Sequence, residues 1–280
     1  MRTLDTKTQL CAVIGDPVSH SLSPAIHNAA FAAADLNYAY LAFHVTDLPA
    51  CLTGMRALPS FRGLSVTISH KESIIPLLDE VDPLAAAVGS VNTVTNDGGR
   101  LIGSTTDGLG TLRAFADAGV DLDGKRVLFL GAGGAVRAVA FAVLRETKAA
   151  CVTILARRVE QAESLVADLD DASRTTAGSL EDVAGAMGEH DVVIQGTPIG
   201  MAPNMDQSPV SAEQFRSEQV AFDMVYRPHE TKFLRDAQTA GCTVVYGIEM
   251  LLHQAALQFE TWTGKPAPID AMRDAVNELI

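Results

Sequence analysis

Cysteine is scarce in this sequence, and the positions of the few cysteines exclude the common cysteine-based sites. The 280 residues include four of them, Cys11, Cys51, Cys151 and Cys242, and no two have the CxxC spacing of a redox motif or a zinc-ligand pair. Isolated cysteines of this kind are typical of reduced, buried side chains in a reducing compartment. We therefore expect free, buried cysteines and no metal site.

Positive charge is also in short supply. Lys and Arg number 21 against 34 Asp and Glu, which gives a net charge of −13 and argues against a nucleic-acid surface. No apolar run reaches the length of a membrane span, and no apolar segment follows a basic start as in a secretory signal. The expectation is a cytoplasmic protein, monomeric or homodimeric, without a nucleic-acid or membrane partner.

A glycine-rich turn between a predicted strand and a predicted helix is the most informative local feature. The strand covers 127–130, the helix covers 134–146, and the turn consists of Gly131, Ala132, Gly133, Gly134 and Ala135. Glycines let the backbone approach a diphosphate closely, and the free N–H groups and dipole of a helix N-terminus favour that negative charge. The turn predicts a dinucleotide site, although glycine-rich turns also close ordinary strand–helix units.

Two arginines follow the next predicted strand, which covers 151–155. Sites for NAD usually carry Asp or Glu about 20 residues beyond the glycines, on the ribose 2′-hydroxyl. Here that place reads Ala156-Arg157-Arg158, and two guanidiniums without an acid favour a 2′-phosphate. Two exposed arginines at the start of a helix are the alternative, but the helix dipole disfavours cations there. The sequence therefore predicts NADP as the cofactor.

Polar residues of the N-terminal half stand where predicted strands end. A polar loop follows strand 10–15, with Ser23 as the expected N-cap of a helix and Pro24 in its first turn. Lys71 comes just after strand 63–68, at the end where open α/β sheets place ligands, although an isolated Lys is more often a surface charge. Asp107 opens a further helix and, in the plainest interpretation, caps it.

The order of these elements predicts an α/β protein of two domains. Residues 1–108 would form an α/β substrate-binding domain, and residues 109–246 a Rossmann-type dinucleotide-binding domain. The helices predicted within 247–280 lie beyond the nucleotide unit and would pack back on the first domain. The same prediction includes a hairpin turn at 96–99.

A set of short motifs extends over nearly the whole chain. They are Ser21-Leu22-Ser23-Pro24-Ala25-Ile26-His27-Asn28, Val66-Thr67 with Lys71, Val91-Asn92-Thr93, Thr106-Asp107-Gly108-Leu109-Gly110, the turn at 131–135, Gly200-Met201, Asp223-Met224-Val225-Tyr226-Arg227-Pro228 and Gly247-Ile248-Glu249-Met250-Leu251-Leu252-His253-Gln254-Ala255. Each is brief, but their order and spacing are together highly specific, and they resemble the motifs of the shikimate dehydrogenase family. The resemblance implies reversible, NADP-dependent reduction of 3-dehydroshikimate to shikimate, a step of aromatic amino-acid biosynthesis.

The resemblance also implies roles for individual residues. Ser21 and Ser23 would bind the substrate carboxylate, and Lys71 with Asp107 would form the catalytic pair. A Lys beside a carboxylate can both accept the proton of a secondary alcohol and return it to the carbonyl oxygen. Further substrate contacts would come from Thr67, Asn92, Tyr226 and Gln254. The dinucleotide would be bound by Gly131, Ala132, Gly133, Gly134, Ala135, Arg157, Arg158, Thr197, Met201 and Gly247.

Several residues depart from the family's usual pattern. Ser65, Ser69 and Thr105 replace an Asn, a Pro and an Asn, and the loops that begin at Ala156 and Gln195 also differ. None of these changes removes a predicted catalytic residue. They leave open the choice of substrate and the strictness of NADP over NAD.

Three alternatives remain at this point. The first is a quinate dehydrogenase or one of broad specificity, because substrates that differ by one hydroxyl are separated only by a site that hydrogen-bonds that group. The second is a folate-type dehydrogenase with a similar two-domain plan, against which Ser21, Ser23 and the Asp107 motif argue. The third is a nucleotide-binding regulator without catalysis, against which the predicted pair of Lys71 and Asp107 argues.

Overall fold

The computed structural model describes residues 4–67 and 69–279, and the contacts divide the chain into two compact units. The first unit comprises Met1–Thr106 with Leu252–Ile280, and the second comprises Asp107–Leu251. The sequence analysis placed its divisions after residue 108 and after residue 246. It also extended a strand to Ile68, which lies outside the described residues.

A mixed six-stranded sheet forms the centre of the first unit. Its order is β2-β1-β3-β5-β6-β4. β2, β1 and β3 run parallel, so the loops that follow β1 and β3 leave the same edge of the sheet, while β5 is antiparallel to β3 and β6. The predicted hairpin joins β5 to β6 and is confirmed. The strands are β1 (Gln9–Gly15), β2 (Tyr38–His44), β3 (Phe61–Val66), β4 (Glu80–Val81), β5 (Thr93–Asp97) and β6 (Arg100–Ser104).

Three helices accompany these strands: α1 (Ser23–Ala33), α2 (Leu48–Arg56) and α3 (Pro83–Val88), with a 3₁₀ turn at Ile75–Leu77. Pro24 lies in the first turn of α1, as predicted, but the prediction of Ser23 as its N-cap is wrong. Leu22 takes the N-cap position, because its carbonyl oxygen already accepts the N–H groups of Ala25 and Ile26. Ser23 is therefore the first helical residue.

A parallel six-stranded sheet forms the centre of the second unit, and its order is β12-β11-β10-β7-β8-β9. All its pairings are parallel. This is the 3-2-1-4-5-6 order of dinucleotide-binding folds, in which ligands bind where the order reverses, here between β7 and β10. The predicted Rossmann-type fold is confirmed. The strands are β7 (Arg126–Leu130), β8 (Cys151–Ala156), β9 (Thr175–Ser179), β10 (Val192–Gln195), β11 (Val220–Asp223) and β12 (Thr243–Val245).

The helices of the second unit are α4 (Asp107–Asp117), α5 (Gly134–Glu146), α6 (Val159–Leu169), α7 (Val183–Met187) and α8 (Lys232–Thr239), with 3₁₀ turns at Leu180–Asp182 and Ala212–Gln214. The sequence analysis missed β9. That strand consists of small and polar residues, Thr175-Thr176-Ala177-Gly178-Ser179, and lies at an edge of its sheet. An edge strand needs little apolar surface, so the alternation that marks other strands is absent.

The last two helices are α9 (Gly247–Thr263) and α10 (Ile269–Asn277). The boundary between the units falls within α9, after Leu251. α10 packs against α1, and the indole Nε1 of Trp262 donates to the carbonyl oxygen of Val94 in β5 at 3.1 Å. The C-terminal helices complete the first unit, as predicted.

Each unit has its own apolar core, and the cysteines lie in or beside these cores. All four thiols are free, as predicted, but only Cys11 and Cys242 are buried. Cys51 and Cys151 are half-buried, because one lies at the margin of the first core and the other begins a strand. In the described part of the chain, no helix is long and apolar enough to cross a membrane. Central core residues are Ile14, Leu52, Leu64 and Val66 in the first unit and Leu128, Leu130, Val193 and Phe233 in the second.

Candidate functional site

Backbone groups dominate the candidate dinucleotide site of the second unit. β7 ends at Leu130, and Gly131 then turns the chain with a φ of +107°, a conformation that favours glycine. A Cβ atom at this position would also lie 3.1 Å from the carbonyl oxygen of Gly196. The strand, turn and helix predicted around 127–146 are confirmed.

The turn leaves open space in front of α5. Gly133 takes the N-cap position, where no side chain caps the helix, and the first turn contains no acidic residue. A Cβ atom added at Gly133 or Gly134 would meet nothing within 4 Å. Ala132 is half-buried, and Ala135 is exposed. The residues therefore fit a diphosphate, which uncapped N–H groups and the helix dipole favour.

The predicted pair of arginines stands directly after β8. Arg157 and Arg158 are both exposed, and Arg158 takes the N-cap position of α6 without a capping hydrogen bond from its side chain. Neither guanidinium forms a hydrogen bond or an ion pair with another of the described residues. Both are thus available to an anionic group, and their planar donor sets suit a phosphate.

A buried glutamine shapes the loop that follows β10. Gln195 is fully buried, and its Nε2 donates to the carbonyl oxygens of Thr197 and Ile199 at 3.0 and 2.9 Å. Its Oε1 accepts the N–H of Thr197 at 2.6 Å. That backbone N–H is therefore committed to the loop itself, and Met201 beyond it is 45% exposed.

The end of β11 carries a buried carboxyl for which the sequence analysis assigned no role. Asp223 is fully buried and accepts hydrogen bonds from the Thr231 hydroxyl at 2.6 Å and the Val225 N–H at 2.9 Å. Burial raises the pKa of this carboxyl to about 7, against the opposing effect of the two donors. Tyr226 is half-buried in the segment that these bonds hold, and Gly247 is buried at the start of α9.

In the first unit, two of the predicted substrate residues meet in a buried hydrogen bond. Asn92, just before β5, donates from Nδ2 to Oε1 of Gln254 in α9 at 3.4 Å. Both side chains are at most 8% exposed. Asn92 Oδ1 accepts the N–H of Thr106 at 2.9 Å and the Thr93 hydroxyl at 2.7 Å. The pair is 162 residues apart in the sequence, so only the fold brings it together.

A second glutamine on α9, Gln258, lies at the centre of this polar cluster. Its Nε2 donates to the carbonyl oxygen of Asn92 at 3.1 Å and to the Thr93 hydroxyl at 3.0 Å. Its Oε1 accepts the Ser65 hydroxyl at 2.7 Å and lies 3.3 Å from Nε2 of His27. The amide therefore connects α9 with β3, β5 and α1.

The two predicted carboxylate-binding serines lie at the start of α1. Ser21 is half-buried, and its hydroxyl accepts the N–H of Ser23 at 3.3 Å. Ser23 is 7% exposed and is a hydrogen-bond partner of Tyr40. The phenol of Tyr40 contacts the Ser65 hydroxyl at 2.5 Å, and burial raises the pKa of that phenol. Thr67 is half-buried and donates its N–H to the carbonyl oxygen of Ile14 at 3.0 Å.

The two predicted catalytic residues belong to different units. Lys71 is half-buried, and its carbonyl oxygen accepts the N–H of Val91 at 2.9 Å, which fixes the segment after β3 against the start of β5. The imidazole of His70 lies 2.8 Å from the carbonyl oxygen of Val45. Asp107 is 9% exposed and is the first residue of α4.

Sequence reasoning missed the residues that stand behind the predicted ones. Gln258 follows Gln254 by four positions on one helix and so lies on the same face; this spacing was the available signal. Tyr40 and His27 carried no such signal, because a Tyr in a strand and a His in a helix usually complete a core. In the described residues, no cluster of His, Cys, Asp and Glu could hold a metal ion.

Three family models match successive parts of the chain. Residues 13–94 match the shikimate dehydrogenase substrate binding domain, residues 114–224 match shikimate / quinate 5-dehydrogenase, and residues 247–276 match the shikimate 5′-dehydrogenase C-terminal domain. The matched parts follow the division of the chain into an N-terminal sheet, a parallel sheet and the C-terminal helices.

Known proteins are similar to the chain over its whole length. A shikimate dehydrogenase (NADP(+)) of Moorella thermoacetica is 46% identical, with coverage of 100% of this chain and 96% of the relative. A shikimate 5-dehydrogenase of Listeria monocytogenes, solved with shikimate and NAD, has a TM-score of 0.92 at 34% identity and covers 99% of both chains. A quinate dehydrogenase of Corynebacterium glutamicum, solved with NAD, has a TM-score of 0.90 at 27% identity and covers 97% of this chain and 99% of its own.

Proposed function

Because this chain belongs to the shikimate dehydrogenase family, we propose that it catalyses the reversible, NADP-dependent reduction of 3-dehydroshikimate to shikimate. The observation that carries the proposal is the buried hydrogen bond between Asn92 and Gln254, two residues assigned to the substrate that are 162 positions apart. The full-length similarity to a shikimate dehydrogenase (NADP(+)) supports the choice of substrate and cofactor. The reaction would serve aromatic amino-acid biosynthesis.

The substrate residues supply the groups that a hydroxylated carboxylic acid requires. The hydroxyls of Ser21 and Ser23 donate to the substrate carboxylate. Thr67, Asn92 and Gln254 exchange hydrogen bonds with its ring hydroxyls, and Tyr226 adds a further contact. Neutral hydroxyl and amide groups suit a polyol, because each can act as donor or acceptor toward a hydroxyl.

Lys71 and Asp107 carry out the proton chemistry. Reduction of the ketone places a proton on its oxygen, and Lys71 Nζ donates that proton; in the oxidation direction Nζ accepts it. The ammonium also stabilises the charge that develops on the oxygen, and the carboxylate of Asp107 orients both groups. NADP, when bound, supplies the chemistry of hydride transfer to and from the carbon.

The residues of the second unit hold the cofactor in this proposal. Backbone N–H groups of the turn at 131–135 bind the diphosphate, and Arg157 and Arg158 bind the 2′-phosphate. Thr197, Met201 and Gly247 contribute on the nicotinamide side. The exposure of both guanidiniums supports their part in this arrangement.

The test is a set of initial rates with shikimate and with quinate, each in the presence of NADP and of NAD. Fast turnover with shikimate and NADP alone would support the whole proposal. Preference for NAD would overturn the role of the arginine pair and leave the chemistry of Lys71 in place. If none of the four combinations of substrate and cofactor is turned over, the result would favour a non-catalytic nucleotide-binding regulator.

A quinate or broad-specificity dehydrogenase is the second candidate, and one observation favours it. The hydroxyl of Thr105 is buried without a hydrogen-bond partner in the described part of the chain. A substrate with one further hydroxyl would gain this hydrogen bond if its binding opens the space in front of the Thr105 hydroxyl. If quinate is turned over, Thr105→Val should lower the rate with quinate more than the rate with shikimate.

A further inference from the structure

The amide of Gln258 has one orientation only. The carbonyl oxygen of Asn92 cannot donate, so the group 3.1 Å from it must be the Nε2 of Gln258. Oε1 therefore faces Ser65 and His27, which must both donate to it. His27 does so from Nε2, and its Nδ1 lacks a partner among the described residues.

The amide of Asn92 is fixed in the same way. The N–H of Thr106 cannot accept, so the atom 2.9 Å from it is Oδ1 of Asn92. Nδ2 then donates to the Thr106 hydroxyl at 3.0 Å and to Oε1 of Gln254 at 3.4 Å. Gln254 therefore turns its acceptor toward Asn92 and its Nε2 away from it.

The two amides also determine which way the neighbouring hydroxyls donate, because each hydroxyl has a single proton to donate. Ser65 gives its proton to Gln258 and so accepts the proton of Tyr40 at 2.5 Å. Thr93 accepts from Gln258 at 3.0 Å and donates to Oδ1 of Asn92 at 2.7 Å. Donation thus runs in one direction, from Tyr40 through Ser65, Gln258, Thr93 and Asn92 to Gln254.

We propose that Gln258 is a positioning residue: it holds the Thr93 hydroxyl and the Asn92 carbonyl oxygen, and so reinforces the orientation of the Asn92 amide that the Thr106 N–H selects and, through Asn92, that of Gln254. The inference rests on the proposed function, since those two side chains are its substrate residues. Gln258 is 1% exposed and acts through its neighbours. A buried amide with four satisfied contacts has no second orientation of similar energy, so the cluster is ordered before the substrate arrives.

The first variant to examine is Gln258→Met, which retains most of the side-chain volume but loses every hydrogen bond of the amide. We expect KM for shikimate to rise about tenfold, as for the loss of one well-oriented hydrogen bond, with KM for NADP unchanged. The matched control is Gln219→Met in the second unit. Gln219 is also 1% exposed, and its Nε2 donates to two carbonyl oxygens, each at 2.9 Å. The control should lose similar stability without a change in KM for shikimate.

The second variant, Gln258→Glu, adds a pH readout that a packing role alone would not produce. A protonated carboxyl can donate to the Asn92 carbonyl oxygen, whereas a carboxylate would face it with a second acceptor. In the wild type neither titratable neighbour changes charge between pH 6 and pH 9, since burial lowers the pKa of His27 to about 3 and raises that of Tyr40. The ratio of variant to wild-type KM for shikimate should therefore be larger at pH 9 than at pH 6.

Side-chain amide NMR spectra supply a readout apart from activity. Gln258→Met should shift the side-chain NH₂ signals of Asn92 and Gln254, and Gln219→Met should not. The inference is overturned if Gln258→Met changes neither KM nor these signals, or if it raises KM for shikimate and NADP equally. If the wild type turns over no shikimate, the proposed function fails and the role in substrate binding falls with it, while the spectra still decide whether Gln258 orients the two amides.

Discussion

The candidate sites of the two units consist of different kinds of groups. In the second unit they are backbone N–H groups at an uncapped helix N-terminus, together with two exposed arginines. In the first unit they are buried side chains that hydrogen-bond to other side chains. The hydrogen-bonded pairs are far apart in the sequence, by 162 residues for Asn92 and Gln254 and by 193 for Ser65 and Gln258. A backbone site needs only the correct local conformation, whereas a side-chain cluster needs the whole fold around it.

This difference predicts how each unit responds to substitution. If the glycine turn binds a diphosphate, binding should be sensitive to side chains added at Gly133 and Gly134, because the ligand would need the backbone N–H groups and the open space in front of them. The cluster of the first unit is sensitive to the loss of single donors and acceptors, because each buried partner left behind is costly. Function and stability should therefore be separable by substitutions in one unit at a time.

The largest effect is expected for Lys71→Ala. If Lys71 Nζ moves the proton of the reaction, kcat should fall by about 10³-fold, with KM for NADP unchanged because the groups proposed to hold it belong to the other unit. Stopped-flow or steady-state rates of NADPH formation measure this. Lys7→Ala, at an exposed position of the same unit, is the control. Wild-type turnover in Lys71→Ala would remove this residue from the mechanism.

Next in size is Gly63→Ala in β3. A Cβ atom there would lie 2.1 Å from Nε1 of Trp262, and this indole is 2% exposed and bonded to Val94. Overpacking of this kind should cost about 3 kcal/mol of unfolding free energy. The chain has one Trp, so urea unfolding followed by its fluorescence reports on the first unit.

The control for this substitution is Gly54→Ala, in the interior of α2. A Cβ atom at Gly54 meets nothing within 4 Å, so alanine should stabilise the helix by about 0.5–1 kcal/mol. Opposite signs for the two glycines would support the close contact between β3 and α9. Equal, small effects would contradict it.

The same contrast explains what the sequence could predict. The dinucleotide-binding fold of the second unit could be predicted from the sequence, because strand 127–130, its glycine turn and the helix after it are neighbours in the chain. The edge strand β9 was missed, because its small polar residues carry no pattern. In the first unit Asn92 and Gln254 were predicted as substrate residues only through family motifs, and that assignment stays a prediction. The positioning role proposed for Gln258 depends on its contacts with β3, β5 and α1. No local sequence pattern predicts these contacts.

A smaller effect is expected for the double variant Arg157→Ala/Arg158→Ala. If both guanidiniums bind the 2′-phosphate, their loss should raise KM for NADP about 30-fold and leave KM for NAD unchanged. The double Lys variant should retain part of the NADP preference, since it keeps both charges but loses the planar donor sets. Equal changes in KM for NADP and for NAD would mean that the arginines do not bind the 2′-phosphate.

The smallest effect concerns the buried carboxyl at the end of β11. Burial raises the pKa of Asp223 to about 7 from 3.8, so this group binds a proton on folding. Its contribution to stability is fully present below the unfolded pKa and is lost as pH rises through 7. Relative to Asp223→Asn, the wild type should lose about 1.4 kcal/mol of unfolding free energy between pH 6 and pH 8.

Urea unfolding followed by far-UV circular dichroism at pH 6, 7 and 8 measures this loss, with Asp206→Asn at an exposed position as the control. The asparagine can retain a hydrogen bond to each partner of Asp223, since its oxygen can accept the Val225 N–H and its NH₂ can donate to the Thr231 hydroxyl. The segment that carries Tyr226 would then be held by neutral bonds at every pH. Parallel curves for the wild type and Asp223→Asn would mean that this carboxyl is already ionised in the folded protein at pH 6, and that the two donors offset the effect of burial.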